Sequence, residues 1–96
     1  MKIYISGKIT GDPSYKTKFI GYEQKIALTH RESVIVNPAV LNEGLERKDY
    51  MPICLAMIDA CDAIYLLPDW HLSKGAMLEK AYAEYQGKKV LYAEVQ

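Results

Sequence analysis

The feature that most constrains the fold of this 96-residue chain is a regular alternation of short β-prone runs with longer helical periods. The β-prone runs are rich in Ile, Val, Leu and Tyr, and lie at residues 2–5, 33–36, 63–67 and 89–93. Between them, apolar residues recur at the i, i+3, i+4, i+7 spacing of a helix face. The order of elements is therefore βαβαβαβ.

This order predicts a parallel sheet with helices on both faces, because alternating strands and helices connect by right-handed crossovers. The run at residues 63–67 (AIYLL) is apolar without alternation, which is typical of a strand covered on both faces. We predict one α/β domain over residues 1–96, a flavodoxin-like or Rossmann-like three-layer α/β/α domain. Its four-stranded parallel sheet has the order 2-1-3-4.

The helix ends follow from local residue types. The first helix is predicted from Pro13, capped by Asp12, to about His30, and the second follows a cap at Asp49. Ser73 caps the third helix and Gly87 ends it. The predicted apolar stripe of the third helix consists of Leu78, Ala81, Tyr82 and Tyr85.

The charge balance excludes several classes of function. Lys and Arg number 12, as do Asp and Glu, so the formal net charge is zero. A general nucleic-acid binder needs a basic surplus, and so does a polybasic membrane-surface protein. We therefore expect neither a nucleic-acid polymer nor a membrane as partner. No apolar run approaches the ~20 residues of a transmembrane helix, and no signal-peptide pattern opens the chain, so we expect a cytoplasmic location.

The two cysteines, Cys54 and Cys61, lie in the predicted second helix. Their spacing corresponds to roughly 10 Å along a helix, which is too far for a disulfide. No CxxC pair is present. We expect two reduced thiols that fill the core.

In parallel α/β sheets the ligand site lies beyond the carboxyl ends of the strands. After the first strand, residues 6–11 read SGKITG, which is neither a P-loop nor a GxGxxG turn. This loop could bind a phosphate or ribose through Ser6, Gly7, Lys8, Thr10 and Gly11; alternatively it is a tight turn with Gly7 at positive φ. In the first case, Gly7→Val should block the ligand and leave the domain folded.

Other polar residues follow the later strands. Asn37 follows the second strand, and Asp69, Trp70 and His71 follow the third. Trp70 could stack on a base or plug the sheet edge, and His71 is a solvated loop residue in the simpler interpretation. On the third helix, Glu79 is surrounded by the small residues Gly75, Ala76 and Ala83, which leaves room for another molecule. A surface or salt-bridge role is the alternative.

The strand IYISG, the strand ending LLPDW, the block S-x-GAxxE-x-x-x-A and the segment GKKV together resemble the nucleoside 2-deoxyribosyltransferase superfamily. The chain is most similar to an uncharacterised family of short bacterial and phage proteins assigned to it. The resemblance implies that Glu79 is the catalytic nucleophile, approached by Tyr4 of the first strand. It also implies that the first loop binds phosphate, and that Ser73, with Gly75, contacts the sugar or its phosphate.

One position departs from the superfamily pattern. A second acid usually stands eight residues before the Asp that precedes the third strand, and here that place holds Cys54. Asp49, Asp59 or Asp69 could substitute for this acid in space.

The residue types suit cleavage of an N-glycosidic bond. A carboxylate at Glu79 could form a covalent glycosyl intermediate, and Asp69 could protonate the departing base. No metal or redox cofactor is expected. The predicted function is binding of a nucleoside or nucleotide, with hydrolysis or 2-deoxyribosyl transfer; the alternative is an inactive nucleotide-binding or sensing module. We also expect a homodimer or larger oligomer, formed through the second and third helices with Met57 and Met77.

Overall fold

The computed structural model of the chain describes residues 1–93. Four parallel strands have the order β2-β1-β3-β4, as predicted. The strands are β1 (Lys2–Ser6), β2 (Val34–Val36), β3 (Ala63–Leu66) and β4 (Lys89–Tyr92). The α-helices are α1 (Tyr15–Thr29), α2 (Arg47–Asp59) and α3 (Lys74–Tyr85), and short 3₁₀ turns cover Pro38–Val40 and Trp70–Leu72.

The alternation of side chains along β1 divides the core into two layers. Ile3 and Ile5 pack with Phe19 of α1 on one face of the sheet. Tyr4 points to the opposite face, where it packs with Cys54 and Ile58 of α2. Successive strand residues face opposite sides of a sheet, so Ser6 shares the face of Tyr4. This periodicity directs two hydroxyl groups of one strand toward α2 and α3.

The connections place the switch point of the sheet between β1 and β3. The chain leaves β1 through α1 toward β2, and it leaves β3 through α3 toward β4 on the other side. Ligand sites of open parallel sheets lie at this point, beyond the carboxyl ends of the strands. The segments after Ser6 and after Leu66 therefore border the expected site.

Two predicted helix caps were wrong. Helix α1 begins at Tyr15, and Asp12 instead accepts a hydrogen bond from the Ser14 amide at 2.9 Å. Helix α2 begins at Arg47, because Glu46 and Asp49 form a reciprocal capping box that adds a turn before the predicted start. Pro52 consequently lies inside the helix.

The predicted apolar stripe of α3 was also wrong, except at Tyr82, which is partly buried against the core. The helix buries Ala76, Glu79 and Ala83, whereas Leu78 and Tyr85 are 50% and 86% exposed. The buried face carries small residues and a carboxylate, so hydrophobicity pointed to the opposite side of the helix. Ser73 caps the helix as predicted, since its side chain accepts a hydrogen bond from the Ala76 amide.

The predicted free thiols are confirmed, since Cys54 and Cys61 are buried and unpaired. Each α-helix in residues 1–93 is too short or too polar to cross a membrane. Helices α2 and α3 pack against each other within the chain, with Met57 partly buried and Met77 43% exposed. Assembly through these helices stays a prediction.

Candidate functional site

A cavity of about 350 Å³ opens at the carboxyl end of the sheet, between the amino-terminal turns of α2 and α3. Its volume lies within the ~300–1,000 Å³ range of small-molecule sites. The first loop, the segment before α2 and the segment before α3 complete its walls. The lining residues are Gly7, Ile9, Thr10, Leu45, Arg47, Tyr50, Met51, Cys54, Leu72, Ser73, Lys74, Gly75, Ala76 and Glu79.

The carboxylate of Glu79 lies at the floor of this cavity and is 7% exposed. Tyr4 donates its phenolic proton to Oε2 at 2.9 Å, and Ser6 donates its hydroxyl proton to Oε1 at 2.6 Å. Each carboxylate oxygen therefore has one fixed donor and retains lone pairs. The contact between Tyr4 and Glu79 is the one that the family resemblance implied.

Burial raises the pKa of Glu79, and the hydrogen bonds from Ser6 and Tyr4 oppose this effect without cancelling it. The pKa of Tyr4 is also raised, well above its ordinary range, first by burial and then by the charge of Glu79. Tyr4 consequently keeps its proton and acts as a donor at neutral pH.

Cys54 lies beside Tyr4 and Glu79 and lines the cavity. Burial raises the pKa of its thiol to about 11, so the side chain is neutral at physiological pH. It cannot supply the negative charge of the acid that the superfamily places here. Of the described residues that line the cavity, only Glu79 carries a carboxylate.

The predicted acid, Asp69, belongs to a different cluster. Its Oδ2 accepts a hydrogen bond from the Lys18 ammonium at 2.6 Å, and its Oδ1 accepts one from the Lys8 amide at 3.1 Å. Lys18 also donates to Asp12 Oδ2 at 2.6 Å and to the Lys8 carbonyl at 2.8 Å. These bonds join the first loop to the loop after β3, and Asp69 does not line the cavity.

Only some of the first-loop residues that were predicted to bind a ligand line the cavity. Gly7 and Thr10 line it, whereas Ser6, Lys8 and Gly11 do not. Gly11 has a φ of 83°, so it serves the turn itself. Gly7 is not among the residues with positive φ; a Cβ there would lie 2.8 Å from Leu67 Cδ1. Close packing, rather than a left-handed backbone, therefore requires glycine at position 7.

The N-cap and first turn of α3 contribute Ser73 and Gly75 to the cavity lining. A Cβ built on Gly75 would make only ordinary contacts, at 3.5 Å from Met51 Cε and 3.8 Å from Ser73 Oγ. Both of these neighbours line the cavity. The absence of a side chain at Gly75 thus leaves open space in the cavity rather than room for packing of the protein core.

Two further predicted binding residues, Asn37 and Trp70, also lie outside the cavity lining. Asn37 is buried, accepts a hydrogen bond from the Ala39 amide and donates one to Glu23, so it holds the turn after β2. Trp70 packs against the core on the α2–α3 face, with its ring centroid 6.3 Å from that of Tyr92. This packing agrees with the alternative interpretation, in which Trp70 covers the edge of the sheet rather than stacking on a base.

Four cavity-lining residues at or just before the start of α2 were not predicted from the sequence. Leu45, Arg47, Tyr50 and Met51 line the cavity, and all but Leu45 belong to the first turns of α2. The Glu46–Asp49 capping box was the signal that could have located this helix start. No group of three or more His, Cys, Asp or Glu side chains placed to hold a metal occurs in residues 1–93.

The fold is shared with a solved enzyme structure. The chain superimposes on the solved structure of a 2-desoxiribosyltransferase from Leishmania mexicana with a TM-score of 0.72 and 23% sequence identity. The alignment covers 95% of this chain but 62% of that one, so this chain spans less than two thirds of its structural relative. At this identity the likeness establishes a common fold.

The family is established by sequence. A family model described as "Domain of unknown function (DUF4406)" matches residues 1–92, and the chain belongs to this family. A sequence comparison with curated proteins found no significant match. The predicted superfamily is thus supported at the level of fold, whereas membership of a short bacterial and phage family stays a prediction.

Proposed function

We propose that this protein binds a nucleoside or nucleotide and cleaves its N-glycosidic bond through a covalent intermediate on Glu79. One observation carries the proposal: a carboxylate is buried at the floor of an open cavity, and each of its oxygens accepts a hydrogen bond from a hydroxyl group. The fold shared with a 2-desoxiribosyltransferase supports the same class of chemistry.

In the first step, Glu79 attacks the anomeric carbon of the sugar. A carbon–oxygen bond forms, the bond to the base breaks, and its electron pair goes to the base nitrogen. The base takes a proton as it leaves. In the second step, water or a second base attacks the anomeric carbon and releases Glu79 as a carboxylate. Two displacements give overall retention at that carbon.

Tyr4 and Ser6 orient the nucleophile in this mechanism. The two donors fix the plane of the carboxylate and stabilise its ionised form, which burial alone would disfavour. The Ser73 hydroxyl is a proposed contact of the sugar or its phosphate, and the open space above Gly75 is proposed to receive the sugar. We do not assign proton donation to Asp69, because both of its oxygens bond to the first loop and Lys18. Water at the cavity mouth is the proposed proton source.

The test is direct. The protein is incubated with the four common 2′-deoxynucleosides and their 5′-monophosphates, with and without a second free base. We expect free base from at least one compound, or exchange of its base for the added one. Liquid chromatography separates the two outcomes, hydrolysis and transfer. Absence of both products from every compound would contradict the enzyme assignment.

A second candidate is an inactive module that binds or senses a nucleotide. The neutral Cys54 favours it, since the superfamily has an acid at this place and the structure puts no second carboxylate in the described lining. Such a module would bind a compound of the same panel without releasing its base. Binding measured by calorimetry on the same samples therefore distinguishes the two candidates.

The Tyr4→Phe variant should change the pH dependence of base release. Removing the phenol removes a hydrogen bond that lowers the pKa of Glu79, so this pKa should rise further. A nucleophile must be ionised, and the acidic limb of kcat/KM should therefore move to higher pH. Tyr85→Phe is the matched control, because Tyr85 lies on the same helix as Glu79 and is 86% exposed. An unchanged limb in Tyr4→Phe would contradict the orienting role.

A further inference from the structure

The mouth and the floor of the cavity carry opposite charges. Arg47 is the first residue of α2, Lys74 is the first residue of α3, and both line the cavity with exposed side chains. At the floor, the buried Glu79 supplies the carboxylate. A ligand that fills the cavity therefore meets two cations at one end and an anion at the other.

Both helices run from the mouth toward the floor. Glu79 follows Lys74 by five residues, and Cys54, which lies beside Glu79, follows Arg47 by seven. At 1.5 Å per residue, the two cations start about 7.5 and 10.5 Å from the floor along their helix axes. This separation suits a ligand with its reacting carbon at Glu79 and an anionic group at the mouth.

Neither cation is neutralised by the residues that the structure describes. Lys18 and Lys48, for comparison, both form ion pairs with nearby carboxylates, and so do Lys16 and Lys80. Arg47 and Lys74 form none among residues 1–93. Two unpaired cations on the wall of one cavity favour an anionic ligand by charge complementarity.

Neutral donors at the mouth add to this preference. The Ser73 oxygen accepts a hydrogen bond from the Ala76 amide, so its own hydroxyl proton remains available to a ligand. The first backbone amides of α3, at Lys74 and Gly75, have no partner within the helix. Phosphate oxygens are acceptors that suit such a group of donors.

We propose that Arg47 and Lys74 bind the phosphate of a nucleoside 5′-monophosphate, and that the protein therefore prefers monophosphates to nucleosides. The inference rests on the proposed function, since the sugar of the same ligand meets Glu79. The phosphate is then bound at the starts of α2 and α3 rather than at the first loop. There, the Ser6 hydroxyl is engaged by Glu79 and Lys8 lies outside the cavity lining.

The experiment uses the Glu79→Gln protein, which should bind the ligand without cleaving it. Calorimetry measures the affinity for each 2′-deoxynucleoside and for its 5′-monophosphate. We expect at least one monophosphate to bind about tenfold tighter or more than its nucleoside, as charge-assisted hydrogen bonds predict. Adding Arg47→Met and Lys74→Met should remove this difference, because both cations are then absent from the cavity.

Two further variants test whether the preference for monophosphates depends on positive charge at the cavity. Lys48→Met removes a cation next to Arg47 that pairs with Glu46 outside the cavity lining, and it should keep the preference. Lys74→Arg retains the charge and should keep it too.

Three results would overturn the inference. Equal affinity for monophosphates and nucleosides would do so while leaving the proposed function in place. A preference that survives Arg47→Met and Lys74→Met would place the phosphate elsewhere. Binding of neither class of compound would overturn both proposals together.

Discussion

Glu79→Gln should abolish base release while leaving the protein folded and able to bind its ligand. The substitution keeps the shape of the side chain and removes the charge that attacks the anomeric carbon. We expect a loss of about four orders of magnitude or more in kcat, the scale on which removal of a covalent nucleophile acts. Single-turnover assays that monitor the free base measure this loss.

The local structure should tolerate the amide. The hydroxyl groups of Tyr4 and Ser6 can accept hydrogen bonds as well as donate them, so they can satisfy the new NH₂ group. Glu84→Gln is the matched control, because Glu84 lies on the same helix, is exposed and pairs with Lys80 outside the cavity lining. Base release by Glu79→Gln at the rate of Glu84→Gln would show that Glu79 is not the nucleophile.

The pKa of Glu79 also determines how the Gln variant compares with the wild type in stability. Burial raises this pKa in the folded state above its ordinary value of 4.5. The folded protein therefore holds the proton more tightly than the unfolded chain, and Glu79 destabilises the fold increasingly as pH rises from about 4.5 through the raised pKa. A glutamine at this position has no charge to bury. The free energy of unfolding of Glu79→Gln should therefore exceed that of the wild type by an amount that grows as the pH rises through this range. Such an advantage is common where function needs a buried charge.

The sheet was predictable because its signals are local and mutually consistent. Ile3 and Ile5 alternate with Tyr4, the run at 63–67 is apolar throughout, and the βαβ order leaves few topologies. Neighbouring parallel strands then bring Ser6 and the end of β3 to one edge. The position of the site follows from the same rule, without reference to its chemistry.

Helix faces and helix starts were less predictable. Glu79 occupies the buried face of α3 among small residues, and a hydrophobic pattern cannot identify a face that is built around a carboxylate. Glu46 is not a preferred capping residue, so the true start of α2 and the place of Arg47 in the site were missed. Asp69 was placed at the correct edge, but its partner Lys18 is distant in sequence and could not be identified there.

Gly7→Ala should destabilise the fold, although Gly7 lies in a loop at the site. The added Cβ would lie 2.8 Å from Leu67 Cδ1 and 2.9 Å from Leu67 Cβ. Leu67 is fully buried, and its amide donates to the Ser6 carbonyl at 2.8 Å, so its backbone cannot move away freely. Overpacking of this kind costs roughly 1–3 kcal/mol. Denaturant unfolding of Gly7→Ala measures the cost. Gly7→Val, with its larger side chain, should cost more, contrary to the expectation of an intact fold.

A matched control and a double variant test the physical cause. Gly21 lies inside α1, and an added Cβ there would have no neighbouring atom within 4 Å, so Gly21→Ala should stabilise the protein by roughly 0.5–1 kcal/mol. Leu67→Ala alone should cost about 2–5 kcal/mol, because it opens a cavity. Combined with Gly7→Ala it should cost less than the two separately, since the new methyl group occupies part of the vacated space. The first loop would have to move aside if the two stability losses were strictly additive in the double variant. The same would follow if the Gly7→Ala protein were as stable as the wild type. Gly7→Val could then test whether the loop contacts the ligand. If the loop does not move, overpacking destabilises the fold, and a loss of binding cannot be attributed to a lost ligand contact.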